Sequence, residues 1–254
     1  MPPLPHPPKF YAELHHSAHR KATGLYLAVG KKLLIEATNS LPGEAFHAIL
    51  YREGENLSFL PAHLLGKTYP LPAWQIERIS GQETPEGLIA VLHQPKLSLW
   101  QSSPPPAVLG ERLQDPGNVG TLLRTMEWLG YDTLWLSEDS VDPFHPKVVR
   151  ASMGSLFRAH VARVSAWEEL LRSYEGRTVV ADLQGIPAWQ VPWRQYDSLY
   201  VGSESHGVRL APPQWIRTTI PPASTTHAES LNAAIAAALL LYTRREAIAG
   251  RLHT

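Results

Sequence analysis

The 254-residue sequence lacks cysteine, an excess charge of either sign and any long apolar run. The absence of cysteine excludes disulfides, thiolate metal sites and cysteine nucleophiles, and it favours a cytoplasmic location. No apolar segment approaches the roughly 20 residues of a membrane-spanning helix. The longest candidate, Leu231 to Tyr242, is instead expected to form a deeply buried helix. The proline-rich start has no apolar signal core, so neither secretion nor membrane insertion is expected.

Positive charge is concentrated locally, although 23 basic and 23 acidic side chains cancel over the whole chain. Between Lys9 and Lys32 there are five basic residues and one acidic residue. Between Pro143 and Arg163 there are four basic residues and no acidic residue. A neutral balance is unusual for a nucleic-acid binder, but local patches can bind phosphates. Ordinary solvated surface is the alternative for either patch.

The pattern of apolar runs divides the chain into three parts. Residues 1–97 are predicted to form a small α/β domain with strands at Leu25–Val29 and Leu88–Leu92 and a helix from Lys31. Residues 98–106 contain three successive prolines, which exclude a helix or a central strand and predict a linker. Residues 107–254 alternate strands, such as Thr133–Leu136 and Leu199–Val201, with helices, which predicts a mainly parallel sheet with helices on both faces. One of these helices is predicted to begin at a capping box formed by Ser165 and Glu168. Ligands of such sheets bind beyond the carboxyl ends of the strands.

Three loops of the third part carry the polar side chains that could perform chemistry. The first is the turn Asp115-Pro116-Gly117, followed by Asn118, a predicted helix cap, and by Arg124. The second is the sequence GSESHG from Gly202 to Gly207, where the flanking glycines allow close approach of a ligand to the backbone. The third runs from Ile220-Pro221 to Ser230-Leu231-Asn232 at the start of the alanine-rich helix.

Each loop by itself has an ordinary structural explanation, namely a turn or a helix cap. The second loop lacks the middle glycine of the dinucleotide fingerprint G-x-G-x-x-G, and no P-loop lysine follows it. A nucleotide-binding oxidoreductase is therefore disfavoured. His15 and His19 have helical i, i+4 spacing, but a metal site would need a third ligand and no H-E-x-x-H motif is present. No metal site is expected.

Taken together and in this order, the loops resemble the three motifs of the SpoU/TrmH family in the SPOUT superfamily. The matching residues are Asn118, Gly120 and Arg124; Gly202, Glu204 and Gly207; and Ile220, Pro221, Ser230, Leu231 and Asn232. The stretch from Pro146 to Gly154 also resembles this family. Residues 79–91 resemble more loosely the N-terminal RNA-recognition domain of its ribosomal-RNA branch.

The resemblance implies an S-adenosylmethionine-dependent methyltransferase that acts on a ribose 2′-hydroxyl of RNA. It further implies a homodimer and a catalytic domain, residues 107–254, with a deep trefoil knot. The first domain, residues 1–97, would be a small α/β sandwich that binds RNA. The cofactor would lie against Gly202, Ile220 and Leu231. Asn118, Arg124, Glu204, Ser230 and Asn232 would form the catalytic site.

The reaction needs no metal, because the methyl group of the cofactor is already activated. Arginine is a poor base, with a pKa above about 12, so Arg124 is expected to position a phosphate or stabilise the developing alkoxide. Whether Arg124 acts in its own subunit or across the dimer stays open. The sequence departs from the family at Pro222, where methionine is common, and at residues 223–227, which lack the usual glycine.

The predicted RNA contacts are Arg20, Lys21, Lys147 and Arg150. Ribosomal RNA is favoured over transfer RNA because of the additional N-terminal domain. Two alternatives remain open on the same fold. One is a tRNA ribose methyltransferase, and the other is a non-catalytic RNA-binding factor for ribosome assembly.

Overall fold

The computed structural model describes residues 3–95, 105–224 and 227–251, and these residues contain eight α-helices and ten strands. The helices are α1 (Pro8–Ala12), α2 (Ser17–Thr23), α3 (Lys31–Ser40), α4 (Ala73–Ser80), α5 (Pro116–Trp128), α6 (Pro146–Ser152), α7 (Trp167–Ser173) and α8 (Ala233–Ile248). The strands are β1 (Leu25–Val29), β2 (Phe46–Arg52), β3 (Thr68–Leu71), β4 (Leu88–His93), β5 (Val108–Gly110), β6 (Thr133–Ser137), β7 (His160–Val164), β8 (Thr178–Pro187), β9 (Ser198–Val201) and β10 (Arg217–Thr219). No helix among the described residues is long and apolar enough to span a membrane.

The structure divides into two compact units that alternate along the chain. The first unit contains the described residues up to 95 together with Phe144–Arg158, and the second contains the remainder. The predicted linker, 98–106, lies almost wholly outside the described residues. The predicted division assigned residues 144–158 to the catalytic domain, whereas their contacts group them with the N-terminal residues.

The first unit is built on a four-stranded sheet in the order β1-β4-β2-β3. Strand β4 runs antiparallel to both of its neighbours, and β2 and β3 are parallel. Alternate residues of the strands, such as Leu25 and Leu27, pack with Ile76 and Ile79 of α4. The residues between them, such as Tyr26, are also buried. Both faces of the sheet are therefore covered, as in the predicted α/β sandwich.

The segment from Phe144 to Arg158 is attached to this unit by specific contacts. The Phe144 ring lies 4.8 Å from that of Tyr26, centroid to centroid. Arg158 Nη1 donates to Glu36 Oε2 at 2.9 Å and to Ser40 Oγ at 2.8 Å. Helix α6, inside this segment, contacts β1. The segment thus adds basic side chains to the first unit.

The second unit contains a six-stranded sheet in the order β10-β8-β9-β5-β6-β7, and all of its neighbouring strands are parallel. Its central strands are buried along their whole length, as expected for a parallel sheet covered by helices. Helix α7 packs on one face with Leu109, Trp135 and Tyr200. Helices α5 and α8 pack against each other, and α8 contacts β9. The predicted fold class, a mainly parallel α/β sheet, is confirmed.

Three local predictions were wrong. Helix α5 is capped by Asp115, whose Oδ1 accepts from the Asn118 backbone at 2.8 Å, so Asn118 is not the cap. The predicted capping box at Ser165 does not form, because α7 begins after Ala166 and no side chain caps it. Helix α8 is not buried on every face. Its exposed stripe consists of Ile235, Leu239 and Tyr242, which are 48%, 40% and 53% exposed.

Candidate active site

The first and third motifs meet at the carboxylate of the second. Glu204 Oε1 accepts hydrogen bonds from Asn118 Nδ2 at 2.9 Å and from Asn232 Nδ2 at 2.7 Å. It also accepts one from the backbone N–H of Ala233 at 3.2 Å. Asn232 Nδ2 donates in addition to Asn118 Oδ1 at 2.8 Å. Three segments separated by as many as 114 residues thus share one closed polar network.

The parallel sheet explains why these segments meet. Strands β5 and β9 are neighbours, so their carboxyl ends lie at the same edge of the sheet. Asn118 lies in the first turn of α5, which follows β5, and Glu204 lies in the loop that follows β9. Asn232 caps α8, and its Oδ1 accepts from Ala234 N at 3.0 Å and Ile235 N at 3.2 Å. A carboxylate beside this helix N-terminus is favoured by the helix dipole.

The loop that carries Glu204 is closed tightly on itself. A Cβ atom added at Gly202 would lie 2.0 Å from the carbonyl carbon of Gly207, so only glycine fits at position 202. Gly207 has φ of +62°, and its N–H donates to Ser203 O at 2.8 Å. The two glycines of the motif are therefore required by backbone geometry.

Sequence reasoning missed Glu111, which anchors the far end of the same loop. Its carboxylate is buried and accepts from the Tyr200 hydroxyl at 2.6 Å and from the backbone N–H groups of Arg209 and Leu210 at 3.0 and 3.3 Å. Trp167 Nε1 donates to the Tyr200 oxygen at 3.0 Å. Burial and then the contact with Glu111 raise the pKa of Tyr200 far above its ordinary value, so the phenol stays a donor. The signal in the sequence was an acidic residue directly after an apolar strand.

A cleft of 530 Å³ opens beside Glu111, where β5, β6 and β7 end. Arg112 and Asp139 contribute to its lining, and Arg112 Nε lies 3.3 Å from Asp139 Oδ2. Arg112 has φ of +56°, a strained conformation for a residue with a side chain. This cleft lies at the carboxyl edge of the sheet, but none of the predicted site residues lines it.

The remaining predicted site residues do not join the network. Arg124 is exposed on α5, about 9 Å further along the helix axis than Asn118 and about 120° away around it. Ser230 is exposed and makes no side-chain hydrogen bond to the residues that the structure describes. Ile220 is half-buried, and Leu231 is 42% exposed.

The predicted RNA contacts divide into two groups. Lys21, Lys147 and Arg150 are exposed. Arg20 is 1% exposed, and its Nη1 donates to the carbonyl groups of Leu14 at 2.8 Å and His15 at 2.9 Å. In this structure Arg20 holds the turn before α2 and is not available to RNA, so it is corrected to a structural residue. His15 precedes α2 and does not share a helix with His19.

The fold and the network define an α/β protein of the kind that binds ligands at the carboxyl edge of a parallel sheet. Residues 106–242 match the model of the SpoU rRNA Methylase family. The chain is 30% identical over 240 residues to the 23S rRNA (guanosine(2553)-2′-O)-methyltransferase RlmP of Bacillus subtilis. The aligned residues cover 93% of this chain and 95% of that protein. The chain therefore belongs to the SpoU rRNA methylase family, as predicted.

Two solved structures resemble the whole chain. The AdoMet-bound rRNA methyltransferase from Sinorhizobium meliloti is 26% identical with a TM-score of 0.84, covering 98% of this chain and 97% of that one. The SpoU methyltransferase AviRb from Streptomyces viridochromogenes, in complex with AdoMet, is 25% identical with a TM-score of 0.79, covering 95% and 97%. The resemblance thus extends over both units.

Proposed function

We propose that this chain transfers a methyl group from S-adenosylmethionine to a ribose 2′-hydroxyl of ribosomal RNA. The observation that carries the proposal is the network of Asn118, Glu204 and Asn232, because it unites the three family motifs at one edge of the parallel sheet. Relatives of similar length support ribosomal RNA as the substrate, since their names specify a 23S rRNA 2′-O-methyltransferase or an rRNA methyltransferase. The predicted enzyme class and cofactor are therefore retained.

The residues around the second motif fit the adenosine part of the cofactor. Ser203 Oγ is buried and has no hydrogen-bond partner among the described residues, so it is available to a ligand. Gly202 presents its backbone without a side chain, and the exposed Leu231 and half-buried Ile220 offer apolar contacts. S-adenosylmethionine supplies an activated methyl group, so the transfer of this group requires no metal. Among the described residues no group of three metal-ligating side chains lies together.

The protein must align the ribose oxygen with this methyl group and stabilise the charge that develops on the oxygen. Glu204 is bonded to three donors, and we assign it the task of holding the loops in register. Arg124 is the permanently charged side chain that we assign to the ribose and its phosphate. Ser230 is exposed shortly before α8 begins, and we assign its side chain a contact with the cofactor or the substrate.

We also propose that the enzyme is a homodimer in which Arg124 serves the partner's site. Arg124 points away from Asn118 and shares the exposed face of α5 with Trp128, which is 82% exposed. Helix α8 packs against α5 and carries the exposed apolar stripe that contains Leu239. A second copy would bury these apolar side chains and bring an arginine with it.

The predicted trefoil knot and cytoplasmic location also remain proposals. In favour of the knot, the start of α8 returns to the loop after β9, where Asn232 Nδ2 donates to Glu204 Oε1. The location follows from the substrate, since the RNA to be methylated must be accessible.

The experiment that tests the function combines cofactor binding with methyl transfer. Calorimetry should show binding of S-adenosylmethionine, and the protein should transfer labelled methyl groups to an unmethylated 23S rRNA transcript. The Arg124→Ala variant should bind cofactor normally and lose methyl transfer. RNA binding without cofactor binding would instead favour the ribosome-assembly factor, and selective methylation of tRNA would favour the tRNA enzyme.

A further inference from the structure

The first unit contains a cleft of 260 Å³ that none of the three motifs lines. Its floor is apolar and is formed by Leu27 and Val29 of β1 and by Leu33 of α3. One wall is the end of α4 with Ser80, Gly81 and Gln82, and the other comprises His145 and the first residues of α6. The cleft therefore lies wholly within one compact unit.

The charge of this cleft has one sign. His15, His145, Lys147 and Arg150 contribute to its lining, and none of its lining residues is acidic. Lys147 and Arg150 are exposed and form no ion pair with the described residues. Two other cations of the same unit have partners, since Arg158 bonds to Glu36 and Lys67 Nζ donates to Gly43 O at 2.8 Å. Two unpaired cations on one rim favour an anionic ligand.

The wall around Gly81 is built to a fixed shape. His15 Nε2 is hydrogen-bonded to Ile79 O at 2.8 Å, which fixes the imidazole ring. A Cβ atom at Gly81 would lie 2.7 Å from Cε1 of that ring, and Gly81 has φ of +63°. The Gln82 backbone N–H donates to Ser80 Oγ at 3.1 Å. These contacts hold Gln82 at the cleft, where its side-chain amide can donate and accept.

The size of the cleft limits the ligand. Pockets for whole small molecules measure about 300–1,000 Å³, so 260 Å³ suits part of a larger ligand. RNA offers such a part, because single-stranded RNA is recognised through bases that are unstacked and inserted singly. The apolar floor matches a base, and the amide of Gln82 matches the polar edge of that base. The two cations at the rim, Lys147 and Arg150, match its phosphate.

We propose that this cleft binds one unstacked nucleotide of the RNA substrate, with the base against Val29, the partly exposed strand residue of the floor, and the phosphate at Lys147 and Arg150. The inference rests on the proposed function, since it takes the substrate to be RNA. It assigns Gln82 to the base edge. It also explains why residues 144–158 pack with the N-terminal residues, because α6 supplies the phosphate contacts for a site whose floor is β1.

The test is a salt titration of RNA binding with an unmethylated 23S rRNA transcript. Lys147→Gln and Arg150→Gln should each weaken binding and lower the slope of log affinity against log salt by about 0.7. The Gln82→Leu variant should weaken binding several-fold at an unchanged slope, because it removes a base contact and no charge. Arg78→Gln is the matched control, since it removes an exposed charge of the same unit from outside the cleft and outside both basic patches, and it should alter neither quantity to this extent.

Each variant should bind S-adenosylmethionine like the wild type, which shows that it is folded. If both charge variants keep the wild-type affinity and slope, or if Arg78→Gln loses as much, the cleft is not the nucleotide site. Methyl transfer by the wild type would in that case leave the proposed function standing. If the wild type binds no RNA, both proposals fail together. Binding of the transcript with loss confined to the cleft variants would support the inference.

Discussion

Asn232 Nδ2 lies 2.7 Å from Glu204 Oε1, so the cap of α8 is bonded directly to the loop after β9. The same asparagine therefore has two tasks. Its Oδ1 caps the helix, and its Nδ2 ties the third motif to the second.

These two tasks can be separated by substitution. Asn232→Ser should keep the cap and lose the bond to Glu204, because serine caps helices about as well as asparagine. We expect its melting temperature to stay near that of the wild type while methyl transfer falls 10-fold or more. Asn232→Ala should lose about 1 kcal/mol of stability in addition. Equal activity of Asn232→Ser and wild type would show that the bond to Glu204 is not needed.

Glu111 anchors the loop after β9, so a substitution at its buried partner Tyr200 should lower the affinity for the cofactor. Tyr200→Phe removes the donor to Glu111 and leaves Trp167 Nε1 without its acceptor, which should cost about 1–3 kcal/mol of stability. Because Glu111 fixes the loop behind Glu204, KM for S-adenosylmethionine should rise more than kcat falls. Trp135 and Tyr174 form a comparable bond of 2.9 Å, so Tyr174→Phe is the matched control. It should lose stability with an unchanged KM.

The exposed stripe of α8 predicts dimerisation. Leu239→Asp should convert the dimer to a monomer in light scattering and abolish methyl transfer, because a charge cannot be buried there without a partner. Leu65 in the first unit is 50% exposed, so Leu65→Asp is the control for simply adding an acid to an exposed leucine. A wild type that is monomeric at working concentration would contradict the dimer proposal.

Two inactive variants should restore each other if Arg124 acts across the dimer. In co-expressed chains carrying Arg124→Ala and Asn232→Ala, a mixed dimer has one complete site made from both chains. With random pairing about a quarter of the wild-type activity should return, since half of the dimers are mixed and each has one of two sites. If Arg124 acts in its own subunit, no mixed dimer contains a complete site and no activity returns.

The buried tyrosines predict a loss of stability at alkaline pH. Burial is the largest cause that raises the pKa of Tyr174 to about 12, and the same cause raises that of Tyr131 to about 12. A raised pKa means that the folded state favours the neutral phenol, so this contribution is complete below the ordinary value of about 10. It declines as the pH rises from about 10 through 12. Denaturant unfolding at pH 9 and pH 11 should show a smaller decline for Tyr174→Phe than for the wild type.

Much of the second unit could be predicted from the sequence because its strands are continuous apolar runs and its loops carry motif residues in a fixed order. Leu199–Val201 and Thr133–Leu136 were predicted within one residue of β9 and β6. Helix caps were harder, because Asp115 and Asn118 are both good capping residues and only the backbone path decides between them.

Contacts between distant segments outside the three motifs could not be predicted. Arg20 was predicted to contact RNA because it lies in a cluster of basic residues, and such clustering gives no information on burial. In the structure its guanidinium donates to two carbonyl groups inside the first unit. Residues 144–158 lie between the first and second motifs in sequence, yet Arg158 bonds to Glu36. Glu111 belongs to no motif, and its role depends on contacts with Tyr200 and Arg209, which lie 89 and 98 residues away in the chain.

The proposed ribose methylation is tested most directly by locating the transferred methyl group on the RNA. Ribosomal RNA from cells that lack the gene should be incubated with the purified protein and S-adenosylmethionine, digested and analysed by mass spectrometry. We expect one additional 2′-O-methylated nucleotide, which should be absent when Arg124→Ala replaces the wild type. A methyl group on a base, or no methyl transfer by a dimeric, cofactor-bound protein, would contradict it.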